Sequence, residues 1–466
     1  MKKILLLIAV QFVALHFLKA QTFEIDTLQY KGSTDKYINL VIMGDGYTAA
    51  EQDTFVEDAR NSSDHLLSQI PWSNYKNYFN VFAIKVISAE SGTKHPNTAD
   101  DCNASVPASN PETYFGCTFD YYGIHRLVVP VNTSNIASVL ANNFPNYDQV
   151  IILANTPYYG GSGGEFATST TDQASNEVTA HEIGHSFAKL ADEYYAGDSY
   201  ARESANMTQE TGPGLVKWKN WMDYEGIGIY PHFGGGNASQ WYKPHENCKM
   251  QSLGSPFCSV CAETIVKTIH SLASPLVSFT PVNSAINTAD NFIDFKLTEL
   301  IRPTPDNLKI EWRLDNTIIA MNTDSLKIDQ SKLSGGIHSL TASVIDTTPL
   351  IRDESHTLAY ISTVSWTIST MASGIEVTSA VHKVSCSIFP NPSSNTLNIA
   401  IESDKESTLS IQVISLEGKV VRQIDNEMLV NGKYSNTIDI ENLANGAYTI
   451  VFKIDGLTHT QHFVKQ

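Results

Sequence analysis

The spacing of apolar positions divides the chain into two textures. In the first, "YINLVIMGDGYT" carries a largely apolar run, Ile38–Met43, that ends in a glycine turn and predicts a buried strand. A helix is expected from about Ala49 to Gln69. "YFNVFAIKVIS", "RLVVPVN" and "DQVIILAN" give further strand signals, the last bounded by turn residues. A glycine-rich stretch, "YYGGSGG", leads through "EFATST" into a second helix. Mixed strands and helices up to about residue 272 predict an α/β or α+β layer, with a helix laid against a sheet.

After Ser271 the period changes to two. "LKIEWRLDNTIIA" alternates at Leu308, Ile310 and Trp312, and Asp315-Asn316 sits where a hairpin turn belongs. "GIHSLTASVID" and "TVSWTI" alternate as well, so residues 273–370 predict an all-β sandwich with Trp312 and Trp366 in its core. We read it as a structural spacer. Residues 371–385 resemble a linker. A second β module is expected over 386–466, with turns at Glu417-Gly418 and Asp455-Gly456.

Composition narrows the function classes. The chain has 466 residues, too many for one domain of ordinary size. A net charge of −18 argues against a nucleic-acid partner, whose footprint would be basic. Residues 1–20 open with Lys2 and Lys3, continue apolar to Phe17 and end in Leu18-Lys19-Ala20. They read as a Sec-type signal peptide for passage through the periplasm. No later run is long and apolar enough to span a membrane, so a mature chain without a membrane span is expected.

Export makes disulfides plausible. Cys102 and Cys117 share a loop-like stretch and are expected to pair, as are two of Cys248, Cys258 and Cys261. The alternative for that trio is a structural zinc site completed by His245. Cys386 stands apart.

The most informative stretch is "NEVTAHEIGHSFAKLADEYY". On a helix, His181 and His185 are one turn apart on one face, so both imidazoles can reach one Zn²⁺. Glu182 beside them is the candidate general base. Ser175 or Asn176 can cap the helix, with Glu177 in its first turn. Ala180, Ile183, Phe187, Leu190 and Tyr194 form a core-facing stripe on another side. An acidic third ligand must come from beyond His185. Asp192 ranks first, Glu193 is the alternative, and Glu203 comes last. On a straight helix Asp192 would lie ~10 Å too far along the axis, so the helix must end and the chain turn back. "GGSGGEFATST" can supply a loop and an open strand edge for a peptide substrate. Asp45 in "GDGYT" reads as a residue that caps the next helix and holds the loop.

"LVIMGDGYTAAE", "HEIGHSFAKLADEY" and "WYKPHENCKMQSLGSPFCSVC" together resemble the bacterial immunoglobulin-A peptidase family of secreted zinc metallopeptidases. The resemblance implies a zincin-like catalytic domain over residues 21–272, followed by an immunoglobulin-like sandwich. It also implies zinc ligands His181 and His185, an acid from "ADEY", and Met250 in a methionine turn beneath the metal. Metzincins turn the chain at a glycine three residues after the second histidine, where this chain has Ala188. "IFPNPSSNTLNI", "LANGAYTIVFKIDG" and "HFVKQ" are similar to the sorting domain of the type IX secretion system, a second immunoglobulin-like module that implies that machinery as a partner.

The expected activity is zinc-dependent endoproteolysis of extracellular proteins, with Glu182 as base and Tyr194, Tyr195 or Tyr242 as oxyanion donor. The competing readings are a non-catalytic, zinc-stabilised adhesin and an exopeptidase.

Overall fold

The computed structural model describes residues 22–102, 106–288, 290–370, 384–403, 406–415, 419–430, 432–455 and 457–466. The leader, most of the linker and the Glu417-Gly418 turn lie outside the described residues. The chain forms two compact units, Met1–Ala372 and Ser373–Gln466.

The run that begins at Ile38 becomes the strand Ile38–Asp45, inside a six-stranded sheet. It pairs in parallel with Phe79–Ile84 on one side and Gln149–Ala154 on the other. Ile25–Gln29 closes one edge; Ala167–Ser169 and then Gly161–Ser162 close the other. All eight residues of Ile38–Asp45 are buried because both faces are covered, which is why the run is almost continuously apolar. Leu40, Ile42, Ile151 and Leu153 point into one core, shared with the helices Gln52–Ser68, Ser175–Ala188 and Ser259–Leu272. Val41, Met43, Val150 and Ile152 point into the other, against Ile136, Val139 and Leu140 of the helix Thr133–Asn143.

Several expectations change. "RLVVPVN" yields only the two-residue strand Val129–Pro130, paired with Cys117–Thr118, because Pro130 has no N–H to extend the ladder. The helix Ser175–Ala188 is preceded by Ala174, so Ser175 and Asn176 lie inside its first turn rather than at the cap. Tyr194 lies beyond the helix and leaves the stripe; Ala180, Ile183, Phe187 and Leu190 remain in the core. Asp45 caps no helix. Its carboxylate accepts from Thr113 Oγ1 and from the backbone N–H groups of Phe115 and Cys117, pinning that loop, while Thr48 and Glu51 form the capping box. All six thiols are free, so the expected disulfides are not seen.

Residues 276–370 build a three-stranded and a five-stranded sheet around one core. Trp312 and Trp366 stack there, with ring centroids 5.8 Å apart. Asp315 and Asn316 both adopt positive φ, the geometry of a two-residue hairpin turn. This module docks on the first sheet's layer. Tyr75 Oη donates to Asp346 at 2.7 Å and Tyr78 Oη to the Ile301 carbonyl at 2.9 Å. Glu263 accepts from the Arg352 and Asp353 N–H groups, while the Arg352 guanidinium lies over Trp221 and Tyr224.

In the second unit, a three-stranded and a four-stranded sheet share a core that includes Ile399, Ile411 and Phe452. Asp455, at φ 47°, begins the turn that pairs Ile454 with Leu457. Among the described residues, no helix is long and apolar enough to cross a membrane.

Candidate active site

The histidine helix, Ser175–Ala188, buries Ala180 and Ile183 and turns its other face to a cleft of about 700 Å³. It ends at Lys189, a non-glycine residue in the left-handed region at φ 54°. The Lys189 N–H donates to the His185 carbonyl and the Leu190 N–H to the Gly184 carbonyl, which reverses the chain. The turn therefore comes one residue after Ala188 and needs no glycine.

That reversal carries Asp192 back over the histidines. Asp192 Oδ1 lies 3.1 Å from His181 Nε2 and 3.2 Å from His185 Nε2, and the two nitrogens are 3.1 Å apart. Three ligands on one tetrahedral ion with bonds of ~2.0–2.1 Å would be about 3.3–3.4 Å apart. The donor set therefore fits Zn²⁺ after shifts of a few tenths of an ångström. Each Nδ1 donates to a backbone carbonyl, His181 to Lys249 at 2.9 Å and His185 to Leu190 at 2.7 Å. A carbonyl can only accept, so each ring presents its Nε2 to the triangle. Burial pushes the Asp192 carboxyl up, but the two imidazoles override it and hold it well below the usual range.

Glu182 offers a carboxylate oxygen within 4.8 Å of one ring nitrogen of each histidine. Burial raises its pKa against the pull of the two imidazoles. The glycine-rich loop lies directly on this group. A Cβ at Gly163 would come within 2.7 Å of Glu182 Oε2 and of His185 Cβ, so only glycine allows the approach. Beneath the helix, a Cβ at Gly184 would meet Met250 Sδ at 2.7 Å. Met250 thus packs under the HExxH turn, and its carbonyl accepts from the Glu193 N–H.

Glu193, the alternative ligand, is outside the triangle. Its Oε1 accepts from Asn206 Nδ2 at 3.0 Å and lies 3.3 Å from Cys261 Sγ, in the buried neighbourhood of Cys248, Cys258 and Cys261. Glu203 pairs with Lys217 on the surface. Tyr194 borders the cleft, its ring 6.1 Å from that of His181 and under the Arg126 guanidinium. Tyr195 instead stacks on Phe233, and Tyr242 pairs with Pro231 in a short hairpin. The backbone edge at Gly161 is taken by Arg126 and Val128, which leaves Gly163 and Gly164 along the cleft. Sequence reasoning missed Gly163, Arg126 and the Lys249 carbonyl. The HExxH motif requires the ligands but does not encode what orients them.

Residues 27–229, which contain His181, Glu182, His185 and Asp192, match the family model for IgA Peptidase M64. This part of the chain is similar to IgA peptidase M64 domains. Met250 and the three clustered cysteines lie beyond the matched part of this M64 domain. Residues 387–466 match the secretion system C-terminal sorting domain, which indicates secretion or display at the cell surface. No curated protein matches the chain. Dimeric latent PorU from Porphyromonas gingivalis is 12% identical over 41% of this chain and 20% of its own, with a TM-score of 0.18. The fibronectin(III)-like modules of Clostridium thermocellum CbhA are 16% identical over 41% of this chain and 94% of theirs, with a TM-score of 0.15. The chain thus spans about a fifth of the PorU chain, and likenesses this weak assign neither fold nor function to the M64 domain.

Proposed function

We propose that the M64 domain is a secreted zinc endopeptidase in which His181, His185 and Asp192 hold Zn²⁺ and Glu182 is the general base. The triangle of donor atoms, each imidazole oriented by a backbone carbonyl, is the observation that carries this reading. Zn²⁺, when bound, supplies a Lewis acid that polarises the scissile carbonyl and acidifies water. Glu182 takes the water proton and returns it to the leaving amine. Tyr194, which borders the cleft under Arg126, is the proposed donor to the oxyanion. Gly163 and Gly164 offer backbone along the cleft to an extended peptide. The module at 273–370 is read as immunoglobulin-like. Residues 1–20 are read as the signal peptide that delivers the chain to the type IX machinery.

The test is cleavage of denatured protein by the purified full chain, with chelator and then with Zn²⁺ restored. Peptides with blocked termini should be cut internally. Full cleavage after complete metal removal would overturn the proposal, and a requirement for free termini would make the protein an exopeptidase.

A further inference from the structure

A second donor cluster lies behind the site. Glu193, Cys248, Cys258 and Cys261 are all buried, and one ligand atom from each lies within 4.8 Å of all the others. Cys258 and Cys261 straddle the start of the helix Ser259–Leu272. The Cys258 N–H donates to Cys248 Sγ at 3.3 Å. Cys248 Sγ and Cys261 Sγ are 3.7 Å apart. Tetrahedral Zn²⁺ with Zn–S bonds of ~2.3 Å sets sulfurs about 3.8 Å apart, whereas a disulfide needs ~2.05 Å.

The carboxylate argues for a cation independently. Glu193 is wholly buried, and its Oε2 has no hydrogen-bond partner. A buried, unpartnered carboxylate oxygen beside three sulfurs is costly unless an ion satisfies it. A disulfide would leave that oxygen as it is and strand the third thiol. His245 does not complete the set: its Nδ1 accepts from the Asn247 N–H.

We propose that Cys248, Cys258, Cys261 and Glu193 form a second metal centre, a closed four-ligand site for Zn²⁺ with no position left for substrate. Its role is structural, and its position says what it fixes. Glu193 follows Asp192 in the chain, and Cys248 precedes Lys249, whose carbonyl orients His181. The ion therefore ties both segments that complete the HExxH site to the helix Ser259–Leu272. Binding would release protons from the thiols that are protonated beforehand, making loading of this centre pH-dependent.

The experiment measures metal per chain in the purified full-length protein, together with thiols titrated in denaturant without reductant. The wild type should carry about two zinc equivalents and show the Cys248, Cys258 and Cys261 thiols free once metal is chelated. Cys261→Ser should lower the content to about one, and His185→Ala should do so independently. Because Cys261→Ser could simply fail to fold, cobalt substitution of the wild type supplies a second readout. An intense sulfur-to-cobalt charge-transfer band that persists in His185→Ala is expected. A disulfide among the three cysteines, or no such band in the cobalt-loaded protein, would overturn the proposal. Failure of the peptidase reading would look different: one metal equivalent, lost in Cys261→Ser and untouched by His185→Ala.

Discussion

Asp192 and Glu193 are chain neighbours whose carboxylates point to opposite sides of one turn. Asp192 Oδ1 completes the triangle with His181 and His185, and Glu193 Oε1 lies 3.3 Å from Cys261 Sγ. The left-handed Lys189 sets this division, because it brings the chain back over the helix just before the two acids. Asp192→Asn should weaken metal binding at the histidine pair by more than about 100-fold, since even groups that only orient a ligand are worth about 10–100-fold. Competition with a chelator of known affinity measures it. Unchanged affinity would remove Asp192 from the site.

Two adjacent glycines make a matched test of the loop. Gly163→Ala would place a methyl 2.7 Å from Glu182 Oε2 and His185 Cβ, whereas a Cβ at Gly164 meets nothing within 4 Å. Gly163→Ala should therefore lower kcat/KM by about tenfold or more, the effect expected when the acting groups shift by a fraction of an ångström. Gly164→Ala should stay close to wild type. Equal effects from the two substitutions would contradict the close approach.

Glu177 ties the start of the histidine helix to the loop behind it. Its carboxylate pairs with Lys249, a wholly buried lysine, and accepts from Gln69 and the Gly254 N–H. Burial alone would raise its pKa, but these partners bring it down to about 2. The folded value is below the ordinary 4.5, so this stabilisation is present above pH 4.5 and is lost as pH falls towards 2. Glu177→Ala leaves the Lys249 charge uncompensated and should cost about 3–5 kcal/mol at neutral pH. Denaturant unfolding of both proteins measures the difference.

His356 makes the contact between the two modules of the first unit sensitive to acid. Burial lowers its pKa to about 4, and the nearby His270 and Lys267 add to the effect, while Asp353 opposes it. The folded protein thus binds fewer protons than the unfolded chain between pH 4 and the ordinary 6.5. Stability from this group is complete above 6.5 and declines as pH falls to 4. His356→Gln should flatten that part of the Tm profile. An identical slope in the variant would assign the acid sensitivity elsewhere.

Much of the fold was legible because burial writes itself into pattern. The run that begins at Ile38 had to be covered on both faces, and the alternation around Trp312 and Trp366 had to be a half-exposed sheet. The HExxH pair was legible because its spacing equals one helical turn. Spacing ranked Asp192 ahead of Glu193, but the turn that separates the two was not legible. It depends on one positive φ at Lys189, a residue type that carries no signal for that conformation. The Lys249 carbonyl was invisible for a similar reason, since any residue has one. The fate of the three cysteines turned on Glu193, which lies 55 positions before Cys248 in the sequence and beside it in the fold.

The most direct measurement pairs metal content with turnover in the same preparation of Glu182→Gln. The substitution keeps the side chain's shape and leaves His181, His185 and Asp192 in place, so zinc content should equal that of the wild type. Cleavage should fall by about 10²–10⁴-fold, the usual worth of a positioned general base. Cleavage at the wild-type rate with full metal content would contradict Glu182 as the base, and with it the proposed mechanism.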